Sequence, residues 1–351
     1  MNGYRWIGRG GLGIVLLSCS SASDPDPALN LDQFASQLEA LRADAHIPGM
    51  SAAIVSGGRI VWARGFGHAD VALGIPATDS TEYHFASLTK TFASTIIMQL
   101  VEEGKVDLEA PVSQYGITVG GTNPVRVIHL LTHTSEGTPG TAFRYNGDRF
   151  ALLDQVIQRA SGESFGQRVT TLILKPLQLR HTAPNVADAN NFALAGLDRD
   201  RFLANLARGY DPDGRDAVQY APSFSAAAGL MGSARDMARY SLAIDAGDFV
   251  SAATWTRIFT PARTPGGERL PYALGWFVTT HQDIDVTWHY GLWIASSALI
   301  IKVRSKGLTF VVLANTDALT APTRLGSGDL LSAPVARLFL NAFVFGKGVL
   351  E

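Results

Sequence analysis

The feature that most constrains this chain is a change of hydrophobic period toward its C-terminal end. Tyr272 to Thr280, Ile284 to Trp288, Ile294 to Val303 and Leu308 to Ala314 are consecutive strand-like runs with short connections. Such runs predict an antiparallel sheet. A hairpin signal stands at the opposite end, where Met50 to Val55 and Arg59 to Ala63 are joined by Ser56-Gly57-Gly58. Between them the period is helical. Ser87 to Glu103 carries apolar residues on most sides, which predicts a buried helix ending at Gly104. Phe150, Leu153, Ile157 and Ala160 mark another helix that stops at Gly162, and residues 165–260 read mostly as helices and loops. Leu31, Phe34, Leu38, Leu41 and Ala45 mark an N-terminal helix, and a last helix covers about Leu330 to Val344. The expected fold class is α+β. One antiparallel sheet is built from residues 50–66 and 272–314 and flanked by helices, with a helical lobe of about 87–260 inserted.

The first 18 residues read as an address rather than as fold. Arg5 and Arg9 precede a short apolar run, Gly10 to Leu17, too short to span a bilayer. Leu16-Leu17-Ser18-Cys19 follows, and Cys19 is the only cysteine. This segment resembles the lipobox of bacterial lipoproteins, where the chain is cut before a cysteine that is then lipidated. The resemblance implies a signal peptide at 1–18, a lipid anchor at Cys19, a polar tether at 19–30 and an exported protein held at the bacterial cell envelope. An ordinary signal peptide with an incidental cysteine is the alternative. Gly8 to Gly13 matches GxGxxG, but no strand precedes it and it lies within the presumed signal, so it is set aside. The net charge is −2, which leaves no basic field for nucleic acid.

Ser87-Leu88-Thr89-Lys90 carries the chemistry. On a helix, positions i and i+3 share a face, so Lys90 stands beside the Ser87 hydroxyl. A serine is a poor nucleophile until a base takes its proton. A lysine in an otherwise buried helix loses solvation, and that lowers its pKa toward a useful base. The plain alternative is a capping serine with a surface lysine.

Other segments decide between the two. Phe85-Ala86-Ser87-Leu88-Thr89-Lys90 resembles the nucleophile segment of the serine β-lactamase and penicillin-binding-protein superfamily, and most closely class C β-lactamases, DD-peptidases and family VIII esterases. Arg64-Gly65-Phe66-Gly67, Leu130-Leu131-Thr132-His133-Thr134-Ser135, Ala228 to Met237 and Leu274-Gly275-Trp276 resemble further segments of that superfamily, in the same order. The likeness covers about Leu31 to Val344 and implies a β-lactamase/transpeptidase-like fold with one catalytic domain over 31–345.

The resemblance assigns roles residue by residue. Ser87 is the implied nucleophile, and Lys90 and Tyr145 move protons. Tyr145 takes the tyrosine place of the family's Tyr-x-Asn element. Its asparagine place falls on Gly147, with Asn146 one position early, which leaves the grip on an amide side chain open. Trp288-His289-Tyr290-Gly291 resembles the His-x-Gly variant of the family's Lys-Thr-Gly strand. It implies that His289 lines the pocket, that Gly291 admits the substrate backbone, and that the N–H groups of Leu292 and Ser87 form the oxyanion hole. His129 and His133 are spaced i, i+4, but no third ligand joins them in the sequence, so they read as structural. No metal or organic cofactor is implied. The expected activity is a serine hydrolase acting through an acyl-serine, foremost an esterase. A DD-peptidase or β-lactamase, and a non-catalytic binder of wall peptide or lipid, are the alternatives. The expected partners are a small-molecule ester, β-lactam or D-amino-acid peptide.

Overall fold

The computed structural model describes residues 30–121, 123–186, 188–220 and 223–346. Cys19, the signal segment, its GxGxxG match and the tether up to residue 29 lie outside the described residues. Helix α1, Leu31–Asp44, opens with the Asn30 side chain accepting from the Gln33 N–H. Strands β1 (Gly49–Ser56) and β2 (Arg59–Asp70) follow as the expected hairpin. Its two-residue turn is Gly57-Gly58, with φ of +56° and +74°. A tight hairpin of this twist needs positive φ at both positions, which glycine supplies without strain.

The main sheet adds β3 (Ile75–Pro76), β4 (Phe277–His281), β5 (Ile284–Trp293), β6 (Ser296–Val303) and β7 (Leu308–Ala314). Its order is β3-β2-β1-β7-β6-β5-β4, antiparallel throughout. The first strand therefore pairs with the last, from Met50–Ala314 to Val55–Thr309. Helices cover both faces, so the central strands are buried at nearly every position and mostly apolar instead of alternating. On β7, Val311 and Leu313 face one core while Phe310, Val312 and Ala314 face the other. The first core packs against the inserted helices α2 (Thr89–Glu102), α3 (Leu153–Ser161) and α4 (Ala234–Ala246). The second packs against α1 and α5 (Pro334–Leu340). Among the described residues, no helix is long and apolar enough to cross a membrane.

Among the element boundaries that differ from the sequence expectation, three have a clear local reason. The run from Tyr272 enters the sheet only at Phe277, because Gly275 has φ +80° and its N–H bonds the Leu131 carbonyl at 3.1 Å. Strand β5 runs on to Trp293, and Ala295 at φ +56° turns the chain back. The closing helix is split into a 3-10 turn at Leu330–Ser332, α5 and a π turn at Asn341–Phe345. Pro334 starts α5, where a missing N–H costs nothing.

Helix α4 is pinned to the sheet by a buried amine. Lys302 on β6 is fully buried and lies 2.9 Å from Asp245, with Ser241 and Thr309 as further partners. Removing one member of such a pair strands the other. Asp245→Ala should lower stability by about 1–3 kcal/mol, less than for a fully enclosed pair because Asp245 is partly exposed. Adding Lys302→Met should recover part of the loss. Urea unfolding midpoints check both.

Candidate active site

The chain reaches the site along the short strand Tyr83–His84, which pairs with Met231–Gly232. The Phe85 N–H bonds the Leu230 carbonyl at 2.8 Å. Ala86 then takes φ +48°, a left-handed conformation unfavourable for a residue with a Cβ. The reversal starts a 3-10 turn, Ala86–Leu88, which runs into α2. The i, i+3 spacing places the Lys90 amine 2.9 Å from the Ser87 hydroxyl oxygen. A second Lys90 N–H bonds the Ala227 carbonyl at 2.8 Å. Lys90 is only 1% exposed. Burial pushes its amine down to about 7, against the raising pull of the Asp148 carboxylate. A substantial share is then neutral at neutral pH. With one N–H committed to Ala227, the lone pair of the neutral amine can take the Ser87 proton.

Tyr145 sits just before the short helix Gly147–Ala151. Its ring packs on His133 at 4.3 Å between centroids and on Tyr290 at 5.5 Å. The Lys90 amine lies 5.1 Å from the ring centre. The residue is half-buried, but its hydroxyl is enclosed and completes no hydrogen bond. Ser87 lies near enough to favour the ionised form, yet burial dominates and, with Tyr290 adding to it, holds the phenol well above its usual range. Tyr145 is thus a phenol at neutral pH, with an uncommitted proton.

The pairing of β5 with β4 ends at Trp288–Phe277, and His289, Gly291 and Leu292 lie beyond it. Sequence reasoning placed His289 in the pocket wall, but the structure encloses it completely. Its Nδ1 lies 2.7 Å from the Tyr290 carbonyl and its Nε2 lies 2.8 Å from the Tyr272 hydroxyl. A carbonyl only accepts, so Nδ1 carries the proton and Nε2 accepts from Tyr272. Burial and the nearby Lys90 charge hold the ring neutral, down to about 3. Gly291 also has a packing reason. A Cβ there would stand 2.4 Å from the Phe85 carbonyl oxygen and 3.2 Å from the Ala86 Cβ. The glycine admits the Phe85–Ala86 turn against the strand. Leu292 follows it, half-buried.

Asn146 does not fill the family's asparagine place. Its oxygen accepts from the Arg149 N–H at 3.0 Å, and its amide nitrogen donates to Glu136 at 2.6 Å. Both ends of the side chain are committed to local structure. Gly147 is outside the positive-φ glycines, and a Cβ there meets nothing within 4 Å.

Three neighbours escaped sequence reasoning as parts of the site. His133 accepts the Asn146 N–H at 3.1 Å and so fixes the segment that carries Tyr145. Tyr272 is the donor to His289. Asp154 accepts the Ala226 N–H at 3.0 Å and holds the loop that offers Ala227 to Lys90. His133 was visible within its motif, whereas Tyr272 and Asp154 carried no spacing signal. His129 accepts the Arg126 N–H at 3.1 Å, so the two histidines serve different backbone amides. Among the described residues, no group of three His, Cys, Asp or Glu side chains could hold a metal. A cavity of about 890 Å³ between Leu174–His181 and Ala195–Asn205 contains none of Ser87, Lys90 and Tyr145. The site is defined by its chemistry and not by open volume.

The beta-lactamase family profile matches residues 34–330, a span that includes Ser87, Lys90, Tyr145 and His289. The chain belongs to the beta-lactamase family. Members of this family are serine hydrolases. The chain is 26% identical over 319 residues to the protein flp of Staphylococcus aureus, with 79% of this chain and 61% of that protein covered. It thus spans about three-fifths of that relative. It is 26% identical over 257 residues to a beta-lactamase of Escherichia coli, covering 65% of this chain and 64% of the other. Among solved structures, the octameric penicillin-binding protein homologue of Pyrococcus abyssi superposes with a TM-score of 0.76 at 24% identity, over 90% of this chain and 78% of that one. A class C beta lactamase of Rhodobacter sphaeroides gives 0.68 at 20% identity, over 88% and 96%. These likenesses place the fold, an antiparallel sheet with helices on both sides.

If Lys90 is the base of this beta-lactamase-family site, activity rises with pH as the amine loses its proton. The acid limb of kcat/KM should have its midpoint near the Lys90 value of about 7. Asp148→Asn removes the carboxylate that raises this pKa, so the limb should move to lower pH. Lys90→Arg cannot deprotonate and should lose about 100-fold or more. A pH–rate series on the three proteins checks this, and an unmoved limb in Asp148→Asn counts against Lys90 as the base.

Proposed function

We propose that this protein is an esterase that works through an acyl-Ser87 intermediate. Neutral Lys90 takes the Ser87 proton as the hydroxyl oxygen attacks the ester carbonyl. By resemblance, the N–H groups of Ser87 and Leu292 hold the resulting oxyanion. As the intermediate collapses, the alkoxide leaves and takes a proton from Tyr145, whose phenol burial keeps protonated. Lys90 resupplies that proton. Water then attacks the acyl-enzyme, gives its proton to the relay and releases the acid and free Ser87.

The observation that carries the choice of esters is the side chain of Asn146, bound at both ends to Arg149 and Glu136. Beside it, Gly147 offers nothing in the place where the family grips an amide. A missing hydrogen bond costs about 1 kcal/mol or more of positioning. Esters depend less on that grip because their leaving group is better. Turnover of short-chain p-nitrophenyl esters should therefore exceed that of penicillins and cephalosporins in kcat/KM. Gly147→Asn has ordinary φ and free space, so it should fold with an unchanged Tm and raise β-lactam turnover severalfold. Efficient cephalosporin hydrolysis without esterase activity would sink this reading.

We further propose that the mature protein is held at the bacterial envelope by lipid on Cys19, with residues 20–29 as tether. Mass analysis should find the mature N-terminus at a diacylated Cys19, and Cys19→Ala should leave the protein unlipidated. A mature terminus well downstream of Cys19 would overturn the anchor.

A further inference from the structure

Beside the nucleophile stands a histidine that the mechanism does not use. His84 is 1% exposed, and its Nδ1 lies 3.0 Å from the Ala86 nitrogen, as acceptor of that N–H. An acceptor at Nδ1 puts the ring proton on Nε2, which is buried and has no partner. Burial pushes the pKa of His84 down to about 4, so the acceptor form persists at working pH. The ring is held flat against Tyr220, at 5.8 Å between centroids.

The residue that His84 grips is the strained one. Ala86 has φ +48° although it carries a Cβ. Its carbonyl accepts from the Thr89 hydroxyl at 2.8 Å, so side chains hold the peptide groups on either side of its Cα. Relaxing Ala86 would rotate the peptide that carries Ser87 and draw its hydroxyl away from the Lys90 amine. Gly291 leaves no slack on the outer side, because the turn already touches the strand.

We propose that His84 is a positioning residue for acyl transfer: its Nδ1 clamps the left-handed Ala86 turn and thereby aims Ser87 at Lys90. The inference rests on Ser87 being the nucleophile. It touches neither substrate nor the reacting atoms, so it acts on the rate of acylation rather than on substrate affinity. It also makes His84 and Ala86 interdependent. A residue that adopts left-handed φ freely would not need the clamp.

The test uses the full-length protein and its variants, labelled with a fluorophosphonate, with the rate of Ser87 modification measured beside thermal unfolding. His84→Phe, which fills the ring space without an acceptor, should slow labelling by about tenfold or more and lower kcat on a p-nitrophenyl ester with KM nearly unchanged. The acid limb set by Lys90 should stay in place. His84→Asn puts its oxygen where Nδ1 was and should label within about threefold of the parent, whereas His84→Gln holds its acceptor one bond further out and should be slow. In an Ala86→Gly background, His84→Phe should cost less than about threefold. Normal labelling of His84→Phe, or a loss that neither His84→Asn nor Ala86→Gly recovers, overturns the clamp. The Asn and Gln pair makes the same comparison if the Phe variant fails to fold. A parent protein that is not labelled at Ser87 overturns the reading of the nucleophile, and this inference with it.

Discussion

The burial of one amine organises this molecule. Lys90 is placed where water cannot solvate its charge, and the cost of that burial is what makes it a base. The position follows from the architecture. Helix α2 lies between the sheet and the inserted helices, and Thr89 to Met98 are buried without a break. The amine is compensated by Ser87, the Ala227 carbonyl, the faces of Tyr145 and Phe150, and the carboxylate of Asp148. A carboxylate at close range would have opposed that shift and tied the amine up. Lys302 shows the other outcome, an equally buried amine tied to Asp245 and committed to structure. Between about pH 7 and the ordinary lysine value, the unfolded chain holds a proton that folded Lys90 has given up. This group's contribution to stability therefore rises with pH across that window.

The remaining polar groups of the site follow the same economy. The Tyr145 hydroxyl and the Nε2 atoms of His84 and His133 are buried without partners. Each such atom leaves a desolvation cost uncompensated. Around a reacting serine, uncommitted donors are available for charge that appears only during reaction. His289 and Tyr272 have satisfied one another and are out of that pool. His84 and His133 keep a spare proton too, but the other nitrogen of each holds a backbone amide, so they support the site.

The parts of this picture that were legible in the sequence are those that rest on spacing. Ser87 and Lys90 are joined by one helical turn, and Gly57-Gly58 announces its hairpin without help from the rest of the chain. The β6 and β7 runs were legible because burial on both faces makes them mostly apolar. What spacing could not convey is which distant neighbour a residue meets. Gly291 read as room for a substrate, and nothing in its spacing showed that it also stands against Phe85, over two hundred positions earlier. Asn146 was a candidate for recognition until Glu136 and Arg149 were seen to hold both its ends. His289 looked accessible because its strand lies near the sheet edge, but Tyr272, carried there by the turn at Gly275, closes over it. Ala86 carried no sign of its left-handed φ, which the sequence would have advertised only with a glycine.

Strand β1 is paired on both sides, with β2 next to it in the chain and with β7 some 250 residues later. The consequence concerns birth rather than function. As the chain emerges from the ribosome, the serine and its lysine come out early. The strand that carries Gly291, against which their turn is braced, comes out late. The central gap of the sheet stays open until residue 314 has arrived. A nascent chain therefore carries Ser87 and Lys90 for most of its synthesis without the strand their turn packs against, and the proposed reactivity would come only with near-completion. The same long-range closure makes folding slow relative to helical proteins of equal size, because the distant ends must meet before their pairing repays the search.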